Sequence, residues 1–251
     1  MPPSNSFPEI LGSSDNRPQA GPKRLTADGF EMAKLYFSYA AMNAGKSTIL
    51  LQASHNYHER GMQTLLYTSS LYAEMDKRSI TSRIGVSAPA ELYDNKIDLF
   101  EQVSRHIEKG PLHCIFVDEA QFLTRDQVWQ LARVADRLKL PVMCYGLRTD
   151  FQGNLFEGSS ELLAIADVLR EVRTICECGS KATMVVRMDE VGNVLTKGDQ
   201  VAIGKDVYVS LCRKHWEEQT GRWPDAGASS PKFSFAEEAD AAAPDEKRTK
   251  T

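Results

Sequence analysis

The stretch "AAMNAGKST", residues 40–48, ends in Gly45-Lys46-Ser47, the second half of a phosphate-binding loop. In such a loop, successive backbone N–H groups and the N-terminus of the following helix converge on an anion. Lys46 then reaches the β- and γ-phosphates of a nucleotide, and the Ser47 hydroxyl is a ligand for Mg²⁺. The full pattern G-x-x-x-x-G-K-[ST] asks for glycine where this chain has Ala40. Glycine there mainly permits tight curvature, so alanine is compatible wherever its φ is negative. Taken alone, the stretch also fits a helix start with no ligand.

A second signature follows at "CIFVDEAQF", residues 114–122, an apolar run ending in two acids. In nucleotide hydrolases and kinases with such a loop, the acid at the strand end holds the Mg²⁺, which assigns that task to Asp118. Neighbouring residues leaving a strand point apart. Glu119 is therefore available for another purpose, such as accepting a proton from an attacking oxygen. A solvated acidic strand end is common in isolation, but two motifs in this order point to nucleotide chemistry.

The five cysteines divide by context. Cys114 and Cys144 lie inside apolar runs, where a thiol packs as a small hydrophobe. Cys176-x-Cys178-Gly179 and Cys212-x-x-His215 form two ligand pairs across a long loop, the logic of a structural Cys₃His zinc site. Four protein ligands leave no position for substrate, so the metal would pin the ends of residues 179–211. The competing reading is three buried thiols and a surface histidine, which suits so polar a stretch poorly.

These residues require elements to hold them. Apolar runs at 34–39, 64–69, 112–117 and 141–147 suit strands buried on both faces of a parallel sheet. Residues 46–60 place Ile49, Leu50, Ala53 and Tyr57 on one helical face, with Gly61 as the stop. Thr124 and Gln127 make a capping box that opens a helix turning Val128, Leu131, Ala132, Ala135 and Leu138 inward. Strands alternating with helices imply crossovers and an α/β sandwich.

The 251 residues allow one domain or two small ones. Residues 1–31 and 221–251 are polar, rich in Pro, Ser, Gly, Ala or charge, and read as disordered tails. Between them lie a nucleotide-binding domain, 32–172, and a zinc-binding domain, 173–220. A formal charge of −4 argues against broad attraction to nucleic acid or anionic membrane. No apolar stretch approaches the roughly 18 residues of a membrane span, and no signal peptide opens the chain, so the expected compartment is the cytoplasm.

Together "YFSYAAMNAGKST", "VDEAQFL", "CYGLRTDFQGNLF", "ICECG" and "YVSLCRKH" resemble the type II thymidine kinases, bacterial relatives of the cytosolic animal enzyme, over about residues 33–216. The resemblance implies transfer of the γ-phosphate of ATP to the 5′-hydroxyl of thymidine. It also implies a P-loop, RecA-like parallel sheet with helices on both faces, a small C-terminal zinc-containing lasso domain, inhibition by dTTP and a homotetramer. On it, Ala40, Ala41, Met42, Asn43, Ala44, Gly45, Lys46 and Ser47 form the ATP loop. Asp118, Glu119, Ala120 and Gln121 lie beside the phosphates, with Glu119 as general base. Asp76 and Arg78 match the family's acid-x-Arg pair near the reacting phosphate. Met42, Phe122, Leu147, Phe151 and Phe156 match its base-packing positions, and Val201, Ile203 and Tyr208 match the lasso. The chain departs from the pattern at Ala40, in its C-x-C and C-x-x-H ligand pairs, and in a lasso one residue shorter around Gly204. A kinase preferring another deoxynucleoside, or a zinc-ribbon nucleotide switch binding a macromolecule, is the alternative.

Overall fold

The computed structural model describes residues 33–71, 78–200 and 207–222. Its centre is a six-stranded sheet built from β1 (Leu35–Ala40), β2 (Thr64–Ser69), β5 (Glu91–Tyr93), β6 (Cys114–Val117), β7 (Val142–Leu147) and β8 (Val168–Glu171). The strand order is β5-β2-β6-β7-β1-β8 and every neighbouring pair is parallel. Parallel pairing brings the C-terminal ends of all six strands to one edge, where ligands of open α/β sheets bind. Strand β7 separates β1 from β6, and the register sets Ala40 beside Leu147 and Val117 beside Cys144.

Alternation along the strands divides the core into two layers. Leu35, Phe37, Leu65, Tyr67, Ile115, Val117, Val142 and Cys144 face one side. There they meet α2 (Leu99–Lys109), α3 (Arg125–Leu138) and α4 (Glu157–Ile165) through Leu99, Val103, Leu131 and Leu162. Leu66, Cys114, Phe116 and Tyr145 face the other side and pack on Leu50 and Leu51 of α1 (Lys46–His58). Burial pushes the Cys114 thiol up to about 12 and raises Cys144 as well, so both stay protonated and behave as core hydrophobes.

The antiparallel hairpin of β3 (Ser79–Thr81) and β4 (Ser87–Pro89) sits beside α1. Beyond β8 come the two-residue strands β9 (Thr174–Ile175) and β10 (Lys181–Ala182), which pair with each other. A three-stranded antiparallel sheet follows, in the order β12 (Val194–Leu195), β11 (Met184–Met188), β13 (Val207–Leu211), and then α5 (Arg213–Thr220). Cys176, Ala182, Val186, Met188, Leu211 and Trp216 form its separate core.

The four expected strands are present to within two residues, and the Thr124–Gln127 capping box is complete. Gly61 follows α1 with φ 73° and stops it as expected. Ile49 departs from the expected face: it is 44% exposed, because the buried stripe of α1 runs through Lys46, Leu50, Leu51 and Ser54. No described helix is long and apolar enough to cross a membrane. Asp76, Val201, Ile203, Gly204, the tail 1–31 and, from residue 223 on, the tail 221–251 lie outside the described residues.

Candidate active site

The phosphate loop leaves the C-terminal end of β1 and re-enters the fold at the first residue of α1. Ala40 is still a strand residue, paired with Leu147, and is not among the residues of positive φ. The left-handed positions of the loop are Asn43, φ 61°, and Gly45, φ 80°. Glycine is therefore retained where a side chain is strained, and asparagine, the residue that best tolerates that region after glycine, fills the other place. Lys46 is buried, and its Nζ donates to the Ala41 carbonyl at 3.1 Å. Burial lowers its pKa, while the Glu119 and Asp118 carboxylates oppose that shift.

Asp118 directly follows β6 and faces this loop. Its carboxylate hydrogen-bonds the Ser47 side chain and accepts the Glu119 N–H at 3.0 Å. Burial, then the neighbouring Glu119 charge, pushes Asp118 up to about 7, against the pull of Ser47, the Glu119 N–H and Lys46. A carboxylate and a hydroxyl side by side offer the hard oxygen donors that Mg²⁺ prefers.

Glu119 adopts the left-handed conformation, φ 53°, a strained state for a non-glycine residue. Four neighbours hold it there. The buried Tyr93 hydroxyl donates to the Glu119 carbonyl at 2.8 Å. Gln121 Nε2 donates to Glu119 Oε2 at 2.6 Å, while Gln121 Oε1 accepts the Leu147 N–H at 3.0 Å. Gly146 and Gly158 press on the short 3₁₀ turn Ala120–Phe122 so closely that a Cβ at either would meet its backbone at 2.9 and 2.6 Å. Glu119 is thus aimed by its surroundings. Tyr93 and Gly158 carry no motif, and Gly146 falls inside one without a role of its own, so sequence reasoning assigns none of the three to the site.

Two cavities meet here. One, open to solvent, is lined by Met42 to Thr48, Glu119, Leu147 and residues 81–84. The second is smaller, largely apolar and lined by Met42, Phe122, Leu147, Phe151, Phe156 and Tyr208, every described member of the expected base-packing and lasso set. Phe122 and Phe156 meet edge to face, with ring centroids 5.7 Å apart. Thr149, Asp150, Val185 and Gln200 complete the lining and were not expected. Asp150 accepts backbone N–H groups of Gln152 and Asn154 and the Gln200 side chain, which fixes this wall. Met42 and Leu147 border both cavities. Ala40, Ala41, Asp118, Ala120 and Gln121 do not line the phosphate cavity; Ala41 and Gln121 hydrogen-bond Lys46 and Glu119, and Asp118 hydrogen-bonds Ser47, residues that do. Arg78 lies outside it as well, 3.4 Å from Glu91 and largely exposed.

Cys176, Cys178, Cys212 and His215 come together with their ligand atoms within 4.8 Å of one another. Cys176 Sγ is 3.2 Å from His215 Nδ1, and Cys178 Sγ is 3.9 Å from Cys212 Sγ. Tetrahedral zinc with Zn–S bonds of about 2.3 Å sets sulfur atoms about 3.8 Å apart, so donors and spacing fit that metal. The left-handed Gly179 closes the first pair's turn, and the Cys178 and Cys212 N–H groups point at the Cys176 sulfur. This cluster connects to the loop. Ser210 Oγ donates to the Met42 carbonyl, Asn43 Nδ2 donates to the Tyr208 carbonyl at 3.3 Å, and Trp216 Nε1 donates to the carbonyls of Phe151 and Val185.

Comparison with known proteins agrees with this geometry. The thymidine kinase family matches residues 33–216. A thymidine kinase of Mesorhizobium japonicum is 65% identical over 191 residues, covering 76% of this chain and 94% of its own. Those of Ruegeria pomeroyi and Haemophilus influenzae (strain Rd) are 59% and 53% identical, over 78% and 76% of this chain and 98% and 100% of theirs. Among solved structures, an ATPase domain overlays 72% of this chain and 82% of its own, with a TM-score of 0.42 and 13% identity.

Proposed function

This chain belongs to the thymidine kinase family, and from that premise we propose that it transfers the γ-phosphate of ATP to the 5′-hydroxyl of thymidine, giving dTMP and ADP. The observation that carries the reading is the meeting of the two cavities at Met42 and Leu147, with Glu119 lining the larger one. The polyphosphate follows the loop N–H groups and Lys46. Thymidine takes the apolar cavity, its base among Phe122, Phe151 and Phe156 and its 5′-oxygen toward Glu119. Glu119 accepts the hydroxyl proton as the new O–P bond forms and the bond from Pγ to the bridging oxygen of ADP breaks. Ser47 and Asp118 would hold Mg²⁺, which supplies charge neutralisation between the β- and γ-phosphates.

Residues 32–172 carry this chemistry, and 173–220 form a lobe that zinc on Cys176, Cys178, Cys212 and His215 would brace against it. A cytoplasmic homotetramer restrained by dTTP is the matching biological setting. Glu119→Gln tests the mechanism: it keeps size and one acceptor but loses basicity. Mg-ATP and thymidine affinities stay near wild type while kcat falls about 10²-fold or more. Near-normal turnover would exclude Glu119 as the base.

A further inference from the structure

The turn of the β3–β4 hairpin overhangs the phosphate loop. Ser82 N–H donates to the Val86 carbonyl, Ser82 Oγ accepts the Val86 N–H, and Gly85 closes the turn with φ 83°. Ile80 and Ala90 bury the root of the hairpin against Leu50 and Leu51 of α1. The turn is therefore held on the same helix whose first residue is Lys46. Thr81, Ser82, Arg83 and Ile84 line the phosphate cavity together with Lys46 and Ser47. Arg83 also borders an open groove that runs past Asn43 to Tyr208.

Among the described residues Arg83 has no carboxylate partner, whereas Arg78 is engaged with Glu91. Lys46 and Arg83 are the two cations lining the cavity among those residues. Burial and the carboxylates dominate at Lys46, and the like charge of Arg83 acts there too. Two cations held around one cavity repel each other until an anion separates them. A planar guanidinium on a turn closed by its own hydrogen bonds, with no described local acid, suits the bidentate binding of phosphate oxygens.

We propose that Arg83 is a phosphate-binding catalytic residue for the donor, placed on the opposite side of the polyphosphate from Lys46. It donates to γ-phosphoryl oxygens and stabilises the charge that spreads over them during transfer. It makes and breaks no covalent bond; the proton still goes to Glu119 and the electron pair to ADP. The inference rests on the kinase reading above.

The test compares wild type with Arg83→Gln, Arg83→Lys and Arg105→Gln, a charge control on α2 far from any motif. Kinetics with Mg-ATP and thymidine, calorimetric titration with Mg-ATP alone, and thermal melting are read for each. Arg83→Gln should lower kcat/KM for ATP about 10²-fold. Mg-ATP should bind it at least about fivefold more weakly, while KM for thymidine and Tm stay unchanged. Arg83→Lys keeps the charge without the fork and should recover part of the loss. Arg105→Gln should match wild type. If Arg83→Gln matches wild type in kcat/KM and Mg-ATP affinity, the proposal fails and the kinase reading stands. If wild type phosphorylates no thymidine, the kinase reading fails, and the titration still decides whether Arg83 binds the polyphosphate.

Discussion

At the scale of single residues, the chain's odd loop position has a plain physical account. Ala40 lies in a strand conformation open to any residue, and the two left-handed places of the loop fall at Asn43 and Gly45. Ala40→Gly should therefore leave kcat/KM within about threefold, while losing about 1 kcal/mol of stability through a buried methyl group and added backbone freedom. A large loss of activity would mean that the Ala40 methyl shapes the phosphate path. Lys46→Ala removes a buried ammonium whose described hydrogen bond is to one loop carbonyl, so it should fold normally yet lose at least about 10²-fold in ATP-dependent turnover. Lys46, Asp118 and the Cys₃His set were legible in the sequence because each sits at fixed spacing in a motif with its own chemistry. Arg83 and Tyr93 were not. One is an exposed residue of a turn and the other ends an edge strand, and only the fold brings them to the loop and to the Glu119 carbonyl.

At the scale of elements, alternation and apolar runs revealed β1, β2, β6 and β7 because these strands are buried on both faces. Strand β8 escaped notice: it pairs with β1 alone, and its residues are only half-buried or exposed. The 3₁₀ turn after Glu119 was also invisible, since its shape is imposed by glycines from β7 and α4 rather than by its own sequence. Gly158→Ala tests that packing. The added methyl would lie 2.6 Å from the Ala120 carbonyl and 2.7 Å from that of Leu123. Overpacking of this kind costs about 1–3 kcal/mol, and the turn it displaces aims Glu119. Urea denaturation should show the loss of stability, and kcat should fall more than KM for ATP rises. Unchanged values of both would show that the turn yields without effect.

The whole molecule joins the six-stranded sheet, whose β1 leads into the Gly45-Lys46-Ser47 loop, to a smaller lobe whose strand β13 touches Met42 and Asn43. Zinc binding should therefore matter for the nucleoside side of the site. Cys178→Ser should lower metal content below about one zinc per chain, reduce Tm and weaken thymidine binding more than ATP binding. Full activity in metal-free protein would remove the bracing role assigned to the cluster. The central claim concerns what the two joined cavities do together, and product identity addresses it most directly. Wild-type protein is incubated with Mg-ATP and, separately, thymidine, deoxyuridine, deoxycytidine, deoxyadenosine or deoxyguanosine, and the products are resolved by chromatography and mass. The expected result is thymidine 5′-monophosphate with one ADP per phosphate transferred, and little or no purine monophosphate. ATP binding without phosphorylation of any nucleoside, or phosphate appearing at the 3′-position, would contradict it.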